Sequence, residues 1–254
     1  LEATAPQRPW KDGGVYLLTG GTGTLARILA REIATRARGA VLVLAGRRGP
    51  DAASRQQVRE LEALGAVVEL HALDVTDRAA VRRLVLQVQE QHQALDGIVH
   101  AAGVLRDGLL LNKSPQALRE VLAPKVSGLL HLDEASRDIE LDVFVCFSSV
   151  SALRGHVGQA DYAAANAFMD AFATYRNALR AAGRRHGRTL SLNWPLWREG
   201  GMQVDPAVER AVTRATGMGA MSTADGLDAL DRAWGSGLDQ VAVLCGDADR
   251  LRQA

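Results

Sequence analysis

Val15-Tyr16-Leu17-Leu18-Thr19-Gly20-Gly21-Thr22-Gly23-Thr24-Leu25-Ala26 runs from an apolar, β-rich stretch through a glycine turn into a helix-forming one. Val15–Thr19 predicts a strand and Thr24–Ala37 a helix. Between them, Gly21-x-Gly23-x-x-Ala26 satisfies the GxGxxG/A pattern in its strand–turn–helix setting. Gly21 is expected to permit the tight turn. Gly23 is expected to let the backbone approach a pyrophosphate on the helix N-terminus, and Ala26 to let helix and strand pack closely. Thr19, Gly20, Gly21, Thr22, Gly23, Thr24 and Leu25 are therefore candidate dinucleotide contacts. No GxxxxGK[ST] pattern occurs, which disfavours a P-loop nucleotide hydrolase.

Outward from this turn, apolar runs alternate with amphipathic stretches. Further strands are predicted at Val41–Ala45, Val67–His71, Gly97–His100, Val143–Phe147, Thr189–Asn193 and Gln240–Leu244. Continuous apolar runs suit strands of a parallel sheet covered on both faces. Helices are predicted at Asp51–Leu64, Asp77–His92 and Gly158–Ala182, with Asp77 as an N-cap. The pattern predicts one α/β domain, a Rossmann-like doubly wound parallel sheet of about seven strands, over residues 13–254. Residues 1–12 read as a linker or boundary segment. The segment 197–223 breaks the alternation, is rich in Gly, Met and Arg, and suits a lid over a site.

The 254 residues are 47% hydrophobic and carry a net charge of +1. That balance gives no argument for nucleic acid or a membrane surface as partner. No apolar run reaches bilayer-spanning length and the N-terminus lacks a signal-peptide pattern. Cys146 and Cys245 fall in strand-like runs and read as buried thiols of a reducing cytoplasm. The six histidines show no metal-ligand spacing, so no metal is expected.

The second strand leads into Gly46-Arg47-Arg48. An acidic residue there would hold a ribose 2′-hydroxyl; an arginine suits a 2′-phosphate. Arg47 and Arg48 therefore favour NADPH as the cofactor, against the plainer reading of a solvated basic turn.

Phe147-Ser148-Ser149 ends the fifth strand, and Tyr162-Ala163-Ala164-Ala165-Asn166 opens the long helix after it. Tyr162 and Asn166 are four apart and share a helix face. Ser149 lies where open α/β sheets bind their ligands. A tyrosine hydroxyl can protonate a carbonyl oxygen as hydride reaches the carbon, provided a nearby ammonium lowers its pKa from about 10. Ser149 can hydrogen-bond the same oxygen.

On these residues the chain resembles the catalytic half of a polyketide-synthase ketoreductase, within the short-chain dehydrogenase/reductase superfamily. The likeness runs from about Gly13 to Leu251. Ordinary members place a lysine four after the tyrosine; here Asn166 holds that position, a swap shared by polyketide and fatty-acid synthase ketoreductases. Pro124-Lys125-Val126-Ser127-Gly128-Leu129-Leu130-His131-Leu132 resembles that family's lysine segment. The resemblance implies Tyr162 as proton donor, Ser149 as the group orienting the ketone, Lys125 tuning Tyr162, and Asn166 positioning the lysine or a relay water. His100-Ala101-Ala102-Gly103 resembles the segment lining ribose and nicotinamide, with the His100 ring itself structural. Asp74-Val75 resembles the adenine contact.

The resemblance also bears on the substrate. Leu105-Arg106-Asp107 lies where Leu-Asp-Asp marks B-type enzymes, which set a D-configured β-hydroxyl. Asp107 keeps the diagnostic position and Arg106 departs from the pattern; a loop residue or helix cap is the plainer reading of Asp107. The tryptophan that marks A-type enzymes would fall on Arg154, and a proline indicating epimerisation would fall on Ala164. Gly158-Gln159 belongs to the tyrosine signature. Asn193 through Met202 resembles the pre-lid segment of modules served by a free-standing acyltransferase, with Trp197 and Met202 either flanking the acyl chain or anchoring the lid. Arg176, Arg180, Arg184, Arg185 and Arg188 form a solvated helix end or a docking surface for an acidic acyl carrier protein.

The implied activity is NADPH-dependent reduction of a β-ketoacyl chain on an acyl carrier protein. Alternatives are a free-standing reductase of a small ketone and an inert scaffold. The family normally pairs this half with a cofactor-free structural subdomain, and only about a dozen residues precede the first strand here.

Overall fold

The computed structural model describes residues 8–49, 51–201 and 205–253. Its strands are β1 (Val15–Thr19), β2 (Val41–Gly46), β3 (Val67–Ala72), β4 (Gly97–His100), β5 (Val143–Ser149), β6 (Arg188–Trp194) and β7 (Gln240–Ala242). Helices up to the third strand pair are α1 (Thr24–Arg36), α2 (Ala52–Glu62) and α3 (Arg78–His92). Then come a 3-10 turn at Leu110–Asn112, α4 (Pro115–Lys125), α5 (Ser127–Ala135), α6 (Ser151–Arg154) and α7 (Ala160–Ala181). The last helices are α8 (Pro206–Thr216), α9 (Thr223–Gly235) and α10 (Ala248–Gln253).

All strand pairs are parallel, in the order β3-β2-β1-β4-β5-β6-β7. This is the expected doubly wound, Rossmann-like domain. Every residue of β1 is buried because helices cover both faces. Tyr16 and Leu18 face a core shared with Leu29 and Ile33 of α1; Val15 and Leu17 face one shared with Val81 and Val85 of α3. The period of two in the strand thus feeds two separate cores. Asp77 caps α3 by accepting from the Ala80 amide at 2.9 Å, as expected.

The predicted elements end within two residues of their expected bounds, and three local departures have a specific cause. β3 is a sheet edge and only half-buried, so Glu69 and His71 are tolerated in it and bond to each other at 3.0 Å. β7 stops at Ala242; the Val243 amide still donates to the Asn193 carbonyl of β6 at 3.0 Å, and beyond it Gly219 donates to the Cys245 carbonyl at 2.8 Å, turning the strand's continuation toward the 197–223 segment. α7 begins at Ala160, since Gly158 has φ +82°.

Successive strands run outward from β1 on one side through β2 and on the other through β4. The crevice at this reversal, outside the carboxyl ends of β1 and β4, is where such sheets bind ligands.

Candidate active site

The glycine turn sits in that crevice. Gly20, not Gly21, supplies the left-handed conformation, with φ +71°. A β-carbon on Gly20 would also lie 2.8 Å from the Ala101 carbonyl oxygen, so the β1 and β4 loops meet in backbone contact. Gly21 is required for closeness instead: its β-carbon would fall 2.9 Å from the Ala45 amide of β2. Gly23 is the N-cap of α1 without a side-chain cap, and no acidic residue occupies the first turn. The amide donors there suit an anion. Thr19 is an exception among the candidate contacts. Its hydroxyl is buried and lies 2.8 Å from Nδ1 of His100.

The candidate catalytic residues converge from three elements: Ser149 from the end of β5, Tyr162 and Asn166 from the first turns of α7, and Lys125 from the last residue of α4. The Lys125 ammonium lies 5.6 Å from the Tyr162 ring centroid and donates to the Phe147 carbonyl at 2.9 Å. Burial holds its pKa down at about 8. The Tyr162 phenol is pushed above its usual range by burial, opposed by hydrogen bonds with the Asn166 and Ser149 side chains; the Asp107 charge adds to the rise. Asn166 Nδ2 donates to the Tyr162 carbonyl at 2.7 Å, while its buried Oδ1 has no protein partner.

Lys125 is aimed by its neighbours. Helix α4 ends at Lys125, and Val126 separates it from α5. The preceding residue, Pro124, gives its carbonyl to His100 Nε2 at 3.0 Å. That carbonyl can only accept, so Nε2 carries the proton and Nδ1 accepts from Thr19. Burial lowers the His100 pKa to about 3 and keeps the ring neutral. His100 therefore links β1, β4 and α4, and its ring is not a cofactor contact. Gly103 leaves room for the lysine, because a β-carbon there would lie 3.0 Å from Lys125 Cε.

A buried polar network behind the site escaped the sequence reading. Asn193 Nδ2 lies 2.7 Å from Asp170 Oδ2, 3.0 Å from Ser148 Oγ and 3.1 Å from the Ser149 carbonyl. Ser148 Oγ donates in turn to the Asn166 carbonyl at 3.3 Å, and Ser191 Oγ to Asp170 Oδ1 at 2.6 Å. The network joins β5, β6 and α7 beneath the reacting groups. Asp170 stands four after Asn166 in an apolar helix face, and that spacing was the available signal.

The segments carrying the candidate substrate residues also meet. Gln159 Nε2 reaches both carboxylate oxygens of Asp107, and the Gly108 amide donates to the Gly158 carbonyl at 2.9 Å. Leu105 is half-buried on the same loop. Of the two roles expected of Trp197, its packing supports the anchor over a wall for the acyl chain. Its indole is buried, packs edge-on against Trp194 at 5.0 Å, and fills the space left by Gly226, so it anchors the start of the 197–223 segment. Met202 lies outside the described residues. Three of the five arginines turn inward instead of forming the solvated helix end or docking surface expected of the cluster, while Arg180 and Arg184 stay exposed. Arg176 and Arg185 are buried on Asp133, at 2.9 and 2.8 Å, and Arg188 bonds the carbonyls of Trp234 and Leu238.

A family model described as KR domain matches residues 14–199. The chain belongs to the ketoreductase domains of polyketide synthases. It is 46% identical over 97% of its length to polyketide synthase PksN of Bacillus subtilis, and 40% identical over 94% to polyketide synthase ThaG of Burkholderia thailandensis. It spans only 4% of each of these relatives. A crystal structure of a ketoreductase domain from the bacillaene assembly line superposes with a TM-score of 0.96 at 45% identity, covering all of this chain and 60% of the other. An A-type ketoreductase structure from a modular polyketide synthase gives 0.86 at 33% identity, covering 99% and 51%.

The ketoreductase domain can accommodate a dinucleotide on its own features. The glycine turn would be filled by β-carbons, and the start of α1 offers uncapped amides. Arg47 and Arg48 stand exposed after β2, with no acidic residue in that turn. Asp74 is fixed by hydrogen bonds from the Thr76 amide and hydroxyl at 2.9 and 2.7 Å; these bonds and the Arg47 charge hold its carboxyl low. Val75 turns its side chain into the core against Gly128, and its carbonyl accepts from His131 Nδ1 at 3.0 Å. Among the described residues no helix is long and apolar enough to cross a membrane.

Proposed function

We propose that this domain reduces a β-ketoacyl chain, held as a thioester on an acyl carrier protein, to a D-configured β-hydroxyacyl chain with NADPH. The observation that carries the reading is the convergence of Ser149, Tyr162, Asn166 and Lys125 at the carboxyl edge of the sheet, beside the glycine turn. Bound beside the glycine turn, a reduced nicotinamide dinucleotide would supply the hydride that reaches the β-carbon. Thr22, Gly23, Thr24 and Leu25 would hold its pyrophosphate on α1, and Arg47 and Arg48 its 2′-phosphate. Ala101, Ala102 and Gly103 would line its ribose and nicotinamide.

Ser149 Oγ donates to the ketone oxygen and stabilises charge building there. Tyr162 delivers its phenolic proton to that oxygen, giving the alcohol. The Lys125 ammonium beside the ring favours the phenolate left behind. Asn166 holds the turn of α7 that carries Tyr162, and its unpaired Oδ1 offers an acceptor for a proton-relay water. Asp107, clamped by Gln159, sets the orientation of the incoming chain, and hence the configuration.

The test is NADPH oxidation with a β-ketoacyl pantetheine thioester, followed by chiral analysis of the alcohol. A D-configured product supports the reading. An L-configured product removes the role given to Asp107, and oxidation confined to small free ketones points to a free-standing reductase.

A further inference from the structure

Lys113 and Asp161 form a buried ion pair next to the catalytic tyrosine. Their side chains are only 4% and 1% exposed. Asp161 Oδ1 accepts from Lys113 Nζ and, at 2.9 Å, from the Tyr162 amide. Asp161 Oδ2 is buried without a partner. Lys113 ends the 3-10 turn that follows Asp107, so the pair ties residues 105–113 to the first turn of α7.

Fold stability does not account for this arrangement. Burying two charges costs more than an apolar pair of the same size, and here one carboxylate oxygen is left unbonded. The favourable place of an acid at a helix start explains Asp161 but not the burial of a lysine from 48 residues away. What the pair does is geometric. The loop is pinned to the residues leading into α7 by two neighbouring links, Asp107 to Gln159 and Gly108 to Gly158. Both lie near the loop's middle; Lys113 fixes its far end to the residue preceding Tyr162.

We propose that Lys113 and Asp161 are positioning residues, whose pair sets the Asp107 loop against Tyr162 and so fixes which face of the ketone meets the hydride. This rests on the ketoreductase reading above. Leu109, Leu110 and Leu111 stand exposed on the same loop, so packing does not hold it in place.

The experiment compares wild type with Lys113→Met, Asp161→Asn and the double variant. The double variant removes both charges together and leaves no unpaired ion to unfold the chain. Product chirality and kcat are read on the pantetheine thioester, NADPH affinity by fluorescence, and order in residues 105–113 by hydrogen exchange. The proposal expects kcat to fall roughly ten- to a hundredfold in the double variant, with NADPH affinity kept. The product should become stereochemically mixed and the loop amides should exchange faster. A folded double variant with wild-type product ratio and wild-type loop protection overturns it. If the wild type binds NADPH but leaves the thioester unreduced, the ketoreductase reading fails, and hydrogen exchange alone still decides whether the pair holds the loop.

Discussion

The amide nitrogen of Gln159 lies 3.1 and 3.2 Å from the two carboxylate oxygens of Asp107, so one donor bridges the loop after β4 and the start of the tyrosine helix. The same carboxylate acts on Tyr162 through its charge, raising the phenol's pKa. Asp107 therefore has an electrostatic and a geometric connection to the reacting centre.

Asp107→Asn keeps the shape and removes the charge. The Tyr162 pKa should fall, because a nearby negative charge no longer opposes the phenolate. The pH dependence of kcat should move to lower pH, and the D-to-L product ratio should decline. A pH–rate profile with chiral product analysis checks both. An unmoved profile with unchanged chirality removes Asp107 from the account.

Lys125→Met should reduce kcat by at least roughly a hundredfold while sparing the fold. Its effect on stability has a definite sign. The folded-state pKa of about 8 lies below the ordinary 10.5, so between these values the unfolded chain binds the proton that the folded chain has released. Stability from this group therefore rises with pH across that window and is lowest below about 8. Urea unfolding at several pH values should show that slope in wild type and a flatter one in Lys125→Met. At neutral pH the variant should be no less stable than wild type, since the lost charge was buried.

Gly20→Ala should destabilise the domain by about 1–3 kcal/mol, because φ +71° is strained for alanine and the new carbon meets the Ala101 carbonyl. Thermal unfolding measures it. A variant with an unshifted melting temperature would mean that the β1 and β4 loops can separate freely.

Arg47→Ala should raise the KM for NADPH roughly tenfold and leave that for NADH nearly unchanged. Steady-state kinetics with both dinucleotides decides. Equal effects on the two would remove the 2′-phosphate argument.

Much of this architecture was legible in the sequence. β1 and β4 have the boundaries their apolar runs predict, and the glycine turn lies between strand and helix as its spacing requires. These features are local. What sequence missed depends on contacts between distant segments. Gly20 rather than Gly21 takes the positive φ because the Ala101 loop closes on one and β2 on the other. Sequence left Trp197 between the acyl chain and an anchoring role, and Gly226, 29 residues on, leaves the slot that its indole fills. The five arginines looked like one basic surface; Asp133, more than 40 residues away from Arg176, draws two of them inside. Asp170 and Lys113 carry no motif, and Asn193 reads from sequence only as a strand end and the start of the segment leading to Trp197; their contacts form only when β6 and the Asp107 loop are brought to α7.

The most direct test of the central claim is Tyr162→Phe, assayed for β-ketoacyl pantetheine thioester reduction alongside NADPH binding. The account predicts a loss of about 10²–10⁴-fold in kcat with NADPH bound as tightly as by wild type. Retention of most of the activity would contradict it, because the proton would then come from a group other than Tyr162.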